Sequence, residues 1–480
     1  MPSQPFERLS YDPEYNQALA YLYGLQKFGI KFGLSKTENL LKAFGDPQRK
    51  LRLIHVAGSN GKGSVSAMLA SVYSRMGYMT GLFTSPHLVD FRERFQINGR
   101  MISQEQTLDL IQEIQEKTDP GEPPTFFEFV TAMALIYFHR QEVDLGIMEV
   151  GLGGRLDATN TIFPLMTIIT TITLEHQEFL GKTLKKIALE KAGIIKNRVP
   201  LVSGVTQKGI QVLYQKICRE KNVPFFLAGR DFKTRKRGQG KFDYFGRGGL
   251  VGEKGKSFSF LGKGAFNAER RTPNALGMKK QMELKELHLG LLGNHQIKNA
   301  CLALTAVHLL QAEGFPVTEE KIREGLRKVF WPARMEILSQ RPFVILDGAH
   351  NKGAMKVLAE GLRENFLYQR FFLIIGIMKD KDIRGVMSQI APLADFVFLT
   401  RAEYERSAEP EVLKTHLTGI QVPCRLFPGI PQAMDQALQE AGEGDLICIT
   451  GSLFVAGEAR AYWGQGLKKT FFTEDPPDRV

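Results

Sequence analysis

One stretch of the chain has the composition of a phosphate-binding loop: Gly58, Ser59, Asn60, Gly61, Lys62, Gly63 and Ser64. Glycines let several backbone N–H groups converge on an anion, and a lysine can reach the outer phosphates of a nucleotide. The hydroxyl of Ser64 can support the magnesium that those phosphates carry. The general P-loop has Ser or Thr directly after the lysine, whereas Gly63 intervenes here. The stretch predicts a loop that binds nucleotide phosphates; the alternative is a structural glycine turn with a surface lysine.

Three further polar side chains follow apolar, strand-like runs: Ser85, Glu149 and His176. In open α/β sheets, ligands gather outside the carboxyl ends of the strands. A carboxylate buried at such a place needs a cation or several hydrogen-bond donors. We therefore predict a magnesium site here, with His176 as a metal ligand or proton-transfer group. His87, two residues after Ser85, receives no role because a loop histidine is more often structural than catalytic.

Lys191 has an unusual position for a lysine. Together with Leu184, Ile187 and Ala188 it recurs at helical spacing, which places it on the buried stripe of its helix. Burial lowers the pKa of a lysine amine and favours the neutral form. A neutral amine near a cation can add carbon dioxide and become an anionic carbamate. A lysine that extends to solvent before Gly193 is the alternative, and the pattern alone favours it.

Aromatic and amide side chains supply candidate contacts to flat rings. Residues 125–129 open a helix whose aromatic side chains could stack on a ring, although core packing explains them equally well. Asn294 and Gln296 carry amides able to pair with the edge of a purine. The loop at 151–160 combines several glycines with Asp157, and we expect it to approach a ligand closely.

The elements that position these residues alternate between strands and helices. An apolar run at 51–57 precedes the glycine stretch, and an apolar helical face follows it at Val65, Met68, Leu69 and Val72. Strand, glycine loop and helix in this order are the context that supports a nucleotide site. Residues 1–50 are predicted to be mostly helical.

A second α/β region follows in the last third of the chain. Strands are predicted at 343–346, 371–375, 395–400 and 445–450, with helices between them, which indicates a parallel, Rossmann-like sheet. Asp347 ends the first of these strands and could hold a ribose hydroxyl. Lys379 to Asp382 form a charged turn that either lines the cleft or is solvated. Pro332 ends the preceding helix, so we place a hinge at 331–334, between domains at 1–330 and 335–480.

Size and charge limit the protein class. The 480 residues are enough for two or three domains. The net charge is +12, and much of the excess lies in a loop-rich segment at about 231–287, predicted as solvated surface loops with hairpin strands near 242–245 and 258–261. No aromatic-interleaved groove or recognition helix accompanies the charge, so anionic small molecules are better candidates than nucleic acid.

The sequence predicts neither a membrane-spanning helix nor a secretory signal. No apolar run is long enough for a membrane helix, and the first residues are neither basic nor followed by an apolar core, as a secretory signal would require. The four cysteines are far apart and match no metal or redox spacing. We expect a cytoplasmic protein that binds neither membrane nor nucleic acid.

Several motifs in this order resemble the folylpolyglutamate synthase/dihydrofolate synthase family, which belongs to the Mur-type ATP-dependent amide ligases. They are 58–64, 84–88, 149–160, 190–194, 294–296, 331–334 and 347–351. The resemblance implies an α/β chain, with an N-terminal P-loop ATPase-type domain around a mainly parallel sheet and a C-terminal Rossmann-like domain.

The resemblance also implies roles for individual residues. The ATP-binding residues would be Gly58, Ser59, Asn60, Gly61, Lys62, Gly63, Ser64, Asn294, Arg334 and Asp347. The magnesium ligands would be Ser85, Glu149, His176 and Lys191, the last carbamylated and serving a second magnesium site. Lys62, His176, Lys191 and His350 would act in catalysis. Thr125, Phe127 and Asp157 would face the pterin-bearing substrate.

Three positions depart from the family pattern: Glu175 replaces an Asp, Ala333 a Gly and Lys352 a Pro. The implied reaction adds L-glutamate to dihydropteroate, to a reduced folate, or to both, with ATP as co-substrate, in a protein expected to be a monomer. The rival classes are another Mur-type ligase with a cell-wall or polyamino-acid substrate, a P-loop phosphotransferase, and a non-catalytic nucleic-acid-binding protein. The first should lack the motif at 125–128, and the second should lack the Rossmann-like domain. The third should show salt-dependent oligonucleotide binding.

Overall fold

The first sheet is built from short apolar strands whose residues are buried on both faces. The structure is a computed structural model that describes residues 12–29, 33–247 and 281–464. Eight strands pair in the order β4-β3-β2-β5-β1-β6-β7-β8. Their bounds are β1 Leu53–Ala57, β2 Thr80–Phe83, β3 Phe95–Ile97, β4 Arg100–Met101, β5 Leu145–Glu149, β6 Met166–Ile169, β7 Leu201–Ser203 and β8 Phe225–Leu227. All pairings are parallel except β2–β3 and β3–β4 at one edge.

Helices cover both faces of this sheet, which is why its strands read as continuous apolar runs. The helices are α1 Pro13–Gly24, α2 Ser35–Ala43, α3 Lys62–Arg75, α4 Gln104–Glu116, α5 Phe126–Arg140, α6 Gln177–Leu180, α7 Leu184–Ala192, α8 Lys208–Glu220, α9 Asn294–Leu310 and α10 Glu319–Lys328. α3 packs between the sheet and α9 and α10. The predicted helical start of the chain is confirmed for residues 12–29 and 33–50, while 1–11 and 30–32 lie outside the described residues.

The second sheet has six strands in the order β12-β13-β17-β14-β15-β16. They are β12 Glu336–Gln340, β13 Phe343–Leu346, β14 Phe371–Ile375, β15 Phe396–Leu399, β16 Cys424–Leu426 and β17 Leu446–Thr450. Helices alternate with them: α11 Lys352–Asn365, α12 Ile383–Ile390, α13 Pro410–Thr415, α14 Ile430–Glu440 and α15 Leu453–Tyr462. The parallel sheet is confirmed, with one antiparallel edge strand, β12, added by the structure.

The basic segment differs from its prediction. β9 Phe232–Gly238, β10 Lys241–Arg247 and β11 Gln281–His288 form an antiparallel sheet, so the expectation of solvated loops is wrong for 232–247 and 281–287. Phe242 and Tyr244 are buried in the core beside α9. Asp243, between them, is also buried and accepts hydrogen bonds from Arg235 at 2.7 Å and Arg237 at 2.8 Å. The predicted strand at 242–245 is confirmed; the one at 258–261 lies outside the described residues.

We call the parts built on the eight-stranded and six-stranded sheets the first and second lobes. Where they touch, the backbone of Leu88 meets α15 at Gly457. The carboxylate of Glu93 accepts N–H groups from Leu88, Val89 and Asp90 at 2.7–3.0 Å, and this fixes the loop that makes the contact. Among the described residues, no helix has the length and apolarity to cross a membrane.

Gly457→Ala tests this contact between the lobes. A Cβ at Gly457 would lie 2.1 Å from the carbonyl oxygen of Leu88, a backbone atom that Glu93 prevents from moving. We expect the substitution to lower the free energy of unfolding by about 1–3 kcal/mol, the usual cost of overpacking. Chemical denaturation of the purified variant measures this change.

Gly209→Ala is the matched control. Gly209 also lies in a helix, α8, but a Cβ there would meet nothing within 4 Å. Alanine in a helix is favoured over glycine by about 0.5–1 kcal/mol, so this variant should be as stable as the wild type or slightly more stable. Equal stabilities of the two variants would contradict the proposed contact.

Candidate active site

The glycine loop lies between β1 and α3, and its shape depends on residues without side chains. Gly58 and Gly61 have φ values of 146° and 88°, a region that favours glycine. A Cβ at Gly58 would lie 1.8 Å from Oγ1 of Thr170, and one at Gly61 would lie 2.5 Å from Oδ1 of Asn299. The next residue, Lys62, begins α3, so the loop ends at a helix N-terminus, where backbone N–H groups can bind an anion.

The residues that follow β6 hold the glycine loop through hydrogen bonds. Thr170 and Thr171 donate their hydroxyls to the carbonyl oxygen of Asn60 at 2.7 and 3.1 Å, and the Ser59 N–H donates to the Thr171 carbonyl at 2.8 Å. The β-branched run from Met166 to Thr173 predicts a strand over that range, but β6 ends at Ile169. The Thr170 N–H still donates to the Ala57 carbonyl of β1 at 2.9 Å, but the hydroxyls of Thr170 and Thr171 bind the glycine loop, and strand pairing ends there.

Two lysines converge on one carbonyl oxygen. Nζ of Lys62 and Nζ of Lys191 both donate to the Gly58 carbonyl, at 3.1 and 3.0 Å. Lys191 is 2% exposed, so its prediction as a buried helical lysine is confirmed. Its Nζ forms an ion pair with Oε1 of Glu175 at 2.8 Å. Sequence reasoning missed this role of Glu175, although its position beside His176 was a signal.

Burial and charge act in opposite directions on this ion pair. Burial lowers the pKa of Lys191, and the neighbouring Glu175 carboxylate raises it again; the net direction is downward. For Glu175, burial favours the neutral acid, but Lys191 and Lys62 outweigh it and bring the pKa to about 2. The site therefore contains a carboxylate that stays ionised beside two cations.

Glu149 ends β5 and is buried with little compensation. The Ser85 N–H donates to its Oε2 at 3.3 Å, and no described residue forms an ion pair with it. Burial raises the pKa of Glu149, while Lys62 and the Ser85 N–H work against that shift. A buried carboxylate with a single backbone donor fits a place where a cation binds.

Two histidines face each other from the two lobes. His176 is the residue immediately before α6. Burial lowers its pKa to about 4; Lys381, Lys62 and His350 add to this shift, and Glu175 opposes it. His350 has its Nδ1 2.9 Å from the Gly348 carbonyl, and because a carbonyl only accepts, Nδ1 carries the proton. Burial also lowers the pKa of His350. Both rings are neutral at pH 7, and Nε2 of His350 is unprotonated.

The second lobe supplies further groups to the same place. Nδ2 of Asn351 donates to Oδ1 of Asn60 in the glycine loop at 3.2 Å. Arg334 lowers the pKa values of both Glu149 and Asp347, which shows that its charge lies near both carboxylates. Asp347 accepts hydrogen bonds from the N–H groups of Met335 and Ala349 at 2.9 and 2.8 Å. Each of its two carboxylate oxygens therefore has one backbone donor.

The residues before Arg334 connect the lobes. Ala333 has a φ of 52°, a left-handed conformation, which explains in physical terms why glycine is the usual residue of the family pattern. The indole of Trp331 lies against the first turn of α3, where a Cβ at Gly63 would be 2.9 Å from Nε1. Ser64, in the same turn, is buried.

The other candidate residues do not line this recess directly, and several use their polar atoms elsewhere. Nδ2 of Asn294 donates to Glu364 of the second lobe, and Gln296 is buried. Thr125 caps α5 in a reciprocal capping box. The ring of Phe127 packs on Gly151, where a Cβ would be 2.4 Å from it.

The structure thus forms one recess at the carboxyl ends of β1, β5 and β6. Its lining is Gly58, Lys62, Val150, Gly151, Leu152, Gly153, Glu175, His176 and Lys191. A larger surface cleft between α1 and α4, lined by residues such as Tyr21, Lys27 and Gln112, contains none of the groups predicted for chemistry.

Comparison with known proteins agrees with this geometry. Residues 56–307 match the Mur ligase middle domain, and residues 333–453 match the Mur ligase glutamate ligase domain. A probable bifunctional folylpolyglutamate synthase/dihydropteroate synthase of Haloferax volcanii is 33% identical over 97% of the chain, which spans only 53% of that protein. The dihydrofolate synthase/folylpolyglutamate synthase of Bacillus subtilis is 32% identical, over 93% of the chain and 98% of its own length.

A solved structure is similar over the same extent. The crystal structure of a bifunctional folylpolyglutamate synthase/dihydrofolate synthase with Mn, AMPPNP and L-glutamate bound has a TM-score of 0.76 and 27% identity. The match covers 92% of this chain and 97% of that one. The chain belongs to the folylpolyglutamate synthase/dihydrofolate synthase family of Mur ligases.

Proposed function

We propose that the protein is an ATP-dependent amide ligase that joins L-glutamate to dihydropteroate, to the γ-carboxylate of a reduced folate, or to both, releasing ADP and phosphate. The observation that carries the proposal is the single recess that contains Lys62, His176 and Lys191, with the buried Glu149 carboxylate at the end of the neighbouring strand. The second lobe faces it with His350 and Asn351. The relatives' names and the nucleotide and L-glutamate bound to the similar structure support this reaction class.

The glycine loop would bind the phosphates of ATP. Backbone N–H groups at the start of α3 and the Lys62 ammonium point to the same region, and together they neutralise charge on a transferring phosphoryl group. Asn294, Arg334 and Asp347 would contact the nucleotide from α9 and the second lobe. Residues 331–334 would be the hinge between domains at 1–330 and 335–480. The start of the second matched family domain at residue 333 supports this position, while the first match ends at residue 307.

The residues at the strand ends fit magnesium. Among the described residues no group of three His, Cys, Asp or Glu side chains is arranged to hold a metal. Mg²⁺ is usually held by one or two carboxylates, with substrate phosphates completing its shell, and the lone buried Glu149 fits that arrangement. Ser85, Glu149, His176 and carbamylated Lys191 would hold it at two sites. When bound, the metal supplies positive charge to the phosphate oxygens.

The reaction needs an activated acid, because a free carboxylate is a poor acyl donor. ATP would phosphorylate the carboxylate of the pterin substrate to an acyl phosphate, the amino group of glutamate would attack it, and phosphate would leave. Lys62 neutralises negative charge as the phosphoryl group is transferred. His176 and His350, both neutral, lie where the lobes meet, and closure of the lobes would exclude water that competes with glutamate. Thr125, Phe127 and Asp157 would border the pterin.

We also propose that the enzyme works as a monomer in the cytoplasm. The four cysteines are free, and three of them are buried, which suits a reducing compartment. Light scattering of the purified protein and localisation of a tagged chain test the two statements.

Lys62→Ala should lower glutamate-dependent phosphate release by about 1000-fold or more, because the main cation facing the phosphates is lost. Steady-state assays with ATP, L-glutamate and a pterin acceptor measure the effect, and Glu149→Ala should be equally inactive. Lys208→Ala is the matched control, since Lys208 also begins a helix, α8, but is exposed. Near-normal turnover of Lys62→Ala would remove the glycine loop from the mechanism.

The acceptor is identified by the same assay with dihydropteroate and with tetrahydrofolate. We expect phosphate release that requires both glutamate and one of these acceptors, since ATP is consumed only when an acid is activated. Release with a cell-wall precursor and with neither pterin would favour another Mur-type ligase.

Lys191 should carry a carbamate under assay conditions, because its burial favours the neutral amine that adds carbon dioxide. The amine must then give up its ion pair with Glu175, so the ammonium and the carbamate are two alternative states of this lysine. With ¹³C-bicarbonate, we expect one carbamate resonance that disappears in Lys191→Arg and persists in Lys185→Arg. Lys185 lies on the exposed face of the same helix. A wild-type spectrum without this resonance would contradict the modification.

A further inference from the structure

A chain of hydrogen bonds runs beneath the recess from β1 to the loop that follows β5. Nε2 of His55 lies 2.8 Å from Oγ1 of Thr159, and the Thr159 hydroxyl donates to Oδ1 of Asp157 in a short hydrogen bond. His55 and Thr159 are fully buried, and Asp157 is 6% exposed. Water therefore has little access to compete with these bonds.

The direction of the chain follows from the number of protons. The Thr159 hydroxyl has one proton, and it is given to Asp157, so this oxygen can only accept from His55. The His55 proton must therefore be on Nε2. Nδ1 of His55 has no hydrogen-bond partner among the described residues, as expected for the unprotonated nitrogen of that tautomer. Burial lowers the pKa of His55 to about 3, with Lys196 adding to the effect, so the ring is neutral.

Asp157 uses its carboxylate to shape the loop at 151–153. Oδ2 accepts the Leu152 N–H at 2.8 Å, and Oδ1 accepts the Thr159 N–H at 3.1 Å in addition to the hydroxyl. The loop held in this way, Gly151 to Gly153, lines the recess together with Lys62, Glu175, His176 and Lys191. At Gly151 the loop also touches Phe127. It therefore lies between the proposed metal ligands and the side chains that we expect to border the pterin.

We propose that Thr159 and His55 are positioning residues for the acceptor substrate, acting through Asp157 and the loop at 151–153. The proposal rests on the proposed function for the identity of that substrate. Asp157, at the border of the proposed pterin site, also shapes its own loop, because both of its oxygens accept hydrogen bonds from that loop. The hydroxyl at position 159 is the connecting element: without it, a buried imidazole N–H loses its acceptor and a buried carboxylate loses a donor.

The test compares Thr159→Val, Thr159→Ser and Thr131→Val. Valine keeps the shape of threonine but removes the hydroxyl, so we expect KM for the pterin acceptor to rise about 10-fold while KM for ATP changes less than about 2-fold. Serine keeps the hydroxyl and should restore the acceptor KM to within about 3-fold of the wild type. Thr131 is a matched control, since it is fully buried and its hydroxyl has no partner among the described residues.

Equal acceptor KM values for Thr159→Val and Thr131→Val would overturn the proposal, as would a failure of serine to restore binding. A wild-type enzyme that is inactive with every pterin acceptor would instead refute the proposed function. In that case, or if Thr159→Val does not fold, ¹⁵N spectra of histidine-labelled wild-type protein decide the matter. His55, assigned by loss of its signals in His55→Gln, should be the neutral Nε2–H tautomer at pH 7. The Nδ1–H tautomer would overturn the proposal.

Discussion

The attraction of two ammonium groups to one backbone carbonyl, balanced by one buried carboxylate, is the interaction on which the site depends. Lys62 comes from the helix after β1 and Lys191 from α7, and both reach the oxygen of Gly58. The two ammonium groups repel each other because both are positively charged. Glu175 offsets this repulsion by forming an ion pair with Lys191. A strongly anionic ligand, such as a triphosphate with its metal, would relieve the same repulsion. The recess is therefore already organised for the charge that it is proposed to bind.

Placement of this charge cluster follows from sheet topology. Because β1 pairs in parallel with both β5 and β6, the carboxyl ends of these three strands meet, and the glycine loop, Glu149 and the threonines after β6 become neighbours. The second lobe completes the site from across the cleft with His350, Asn351 and Arg334. One of the contacts between the lobes is made by the loop after β2, which also carries Ser85, so this contact lies three residues from the proposed metal ligand.

How far the sequence could predict this arrangement depends on the kind of signal. Strands and helices have a period, so Glu149 could be placed at a strand end and Lys191 on the stripe of α7, but only the resemblance to the family favours burial of Lys191. Polar residues that hold loops have no period: Thr170, Glu175 and the Thr159–His55 pair join segments about 100 residues apart or lie in irregular loops. The partner of Asn294 is Glu364 in the other lobe, and only the tertiary fold reveals that contact.

The contact of Trp331 with the first turn of α3 has a practical consequence. The chain contains only two tryptophans. Trp331 touches Gly63, where the glycine loop passes into α3, and it is the first residue of the segment that joins the lobes. Indole emission depends on the polarity and charge around the ring, so a triphosphate at the N-terminus of α3 would change it without any added dye. Nucleotide affinity and lobe closure could then be followed by stopped-flow fluorescence of the unlabelled enzyme, separately from turnover.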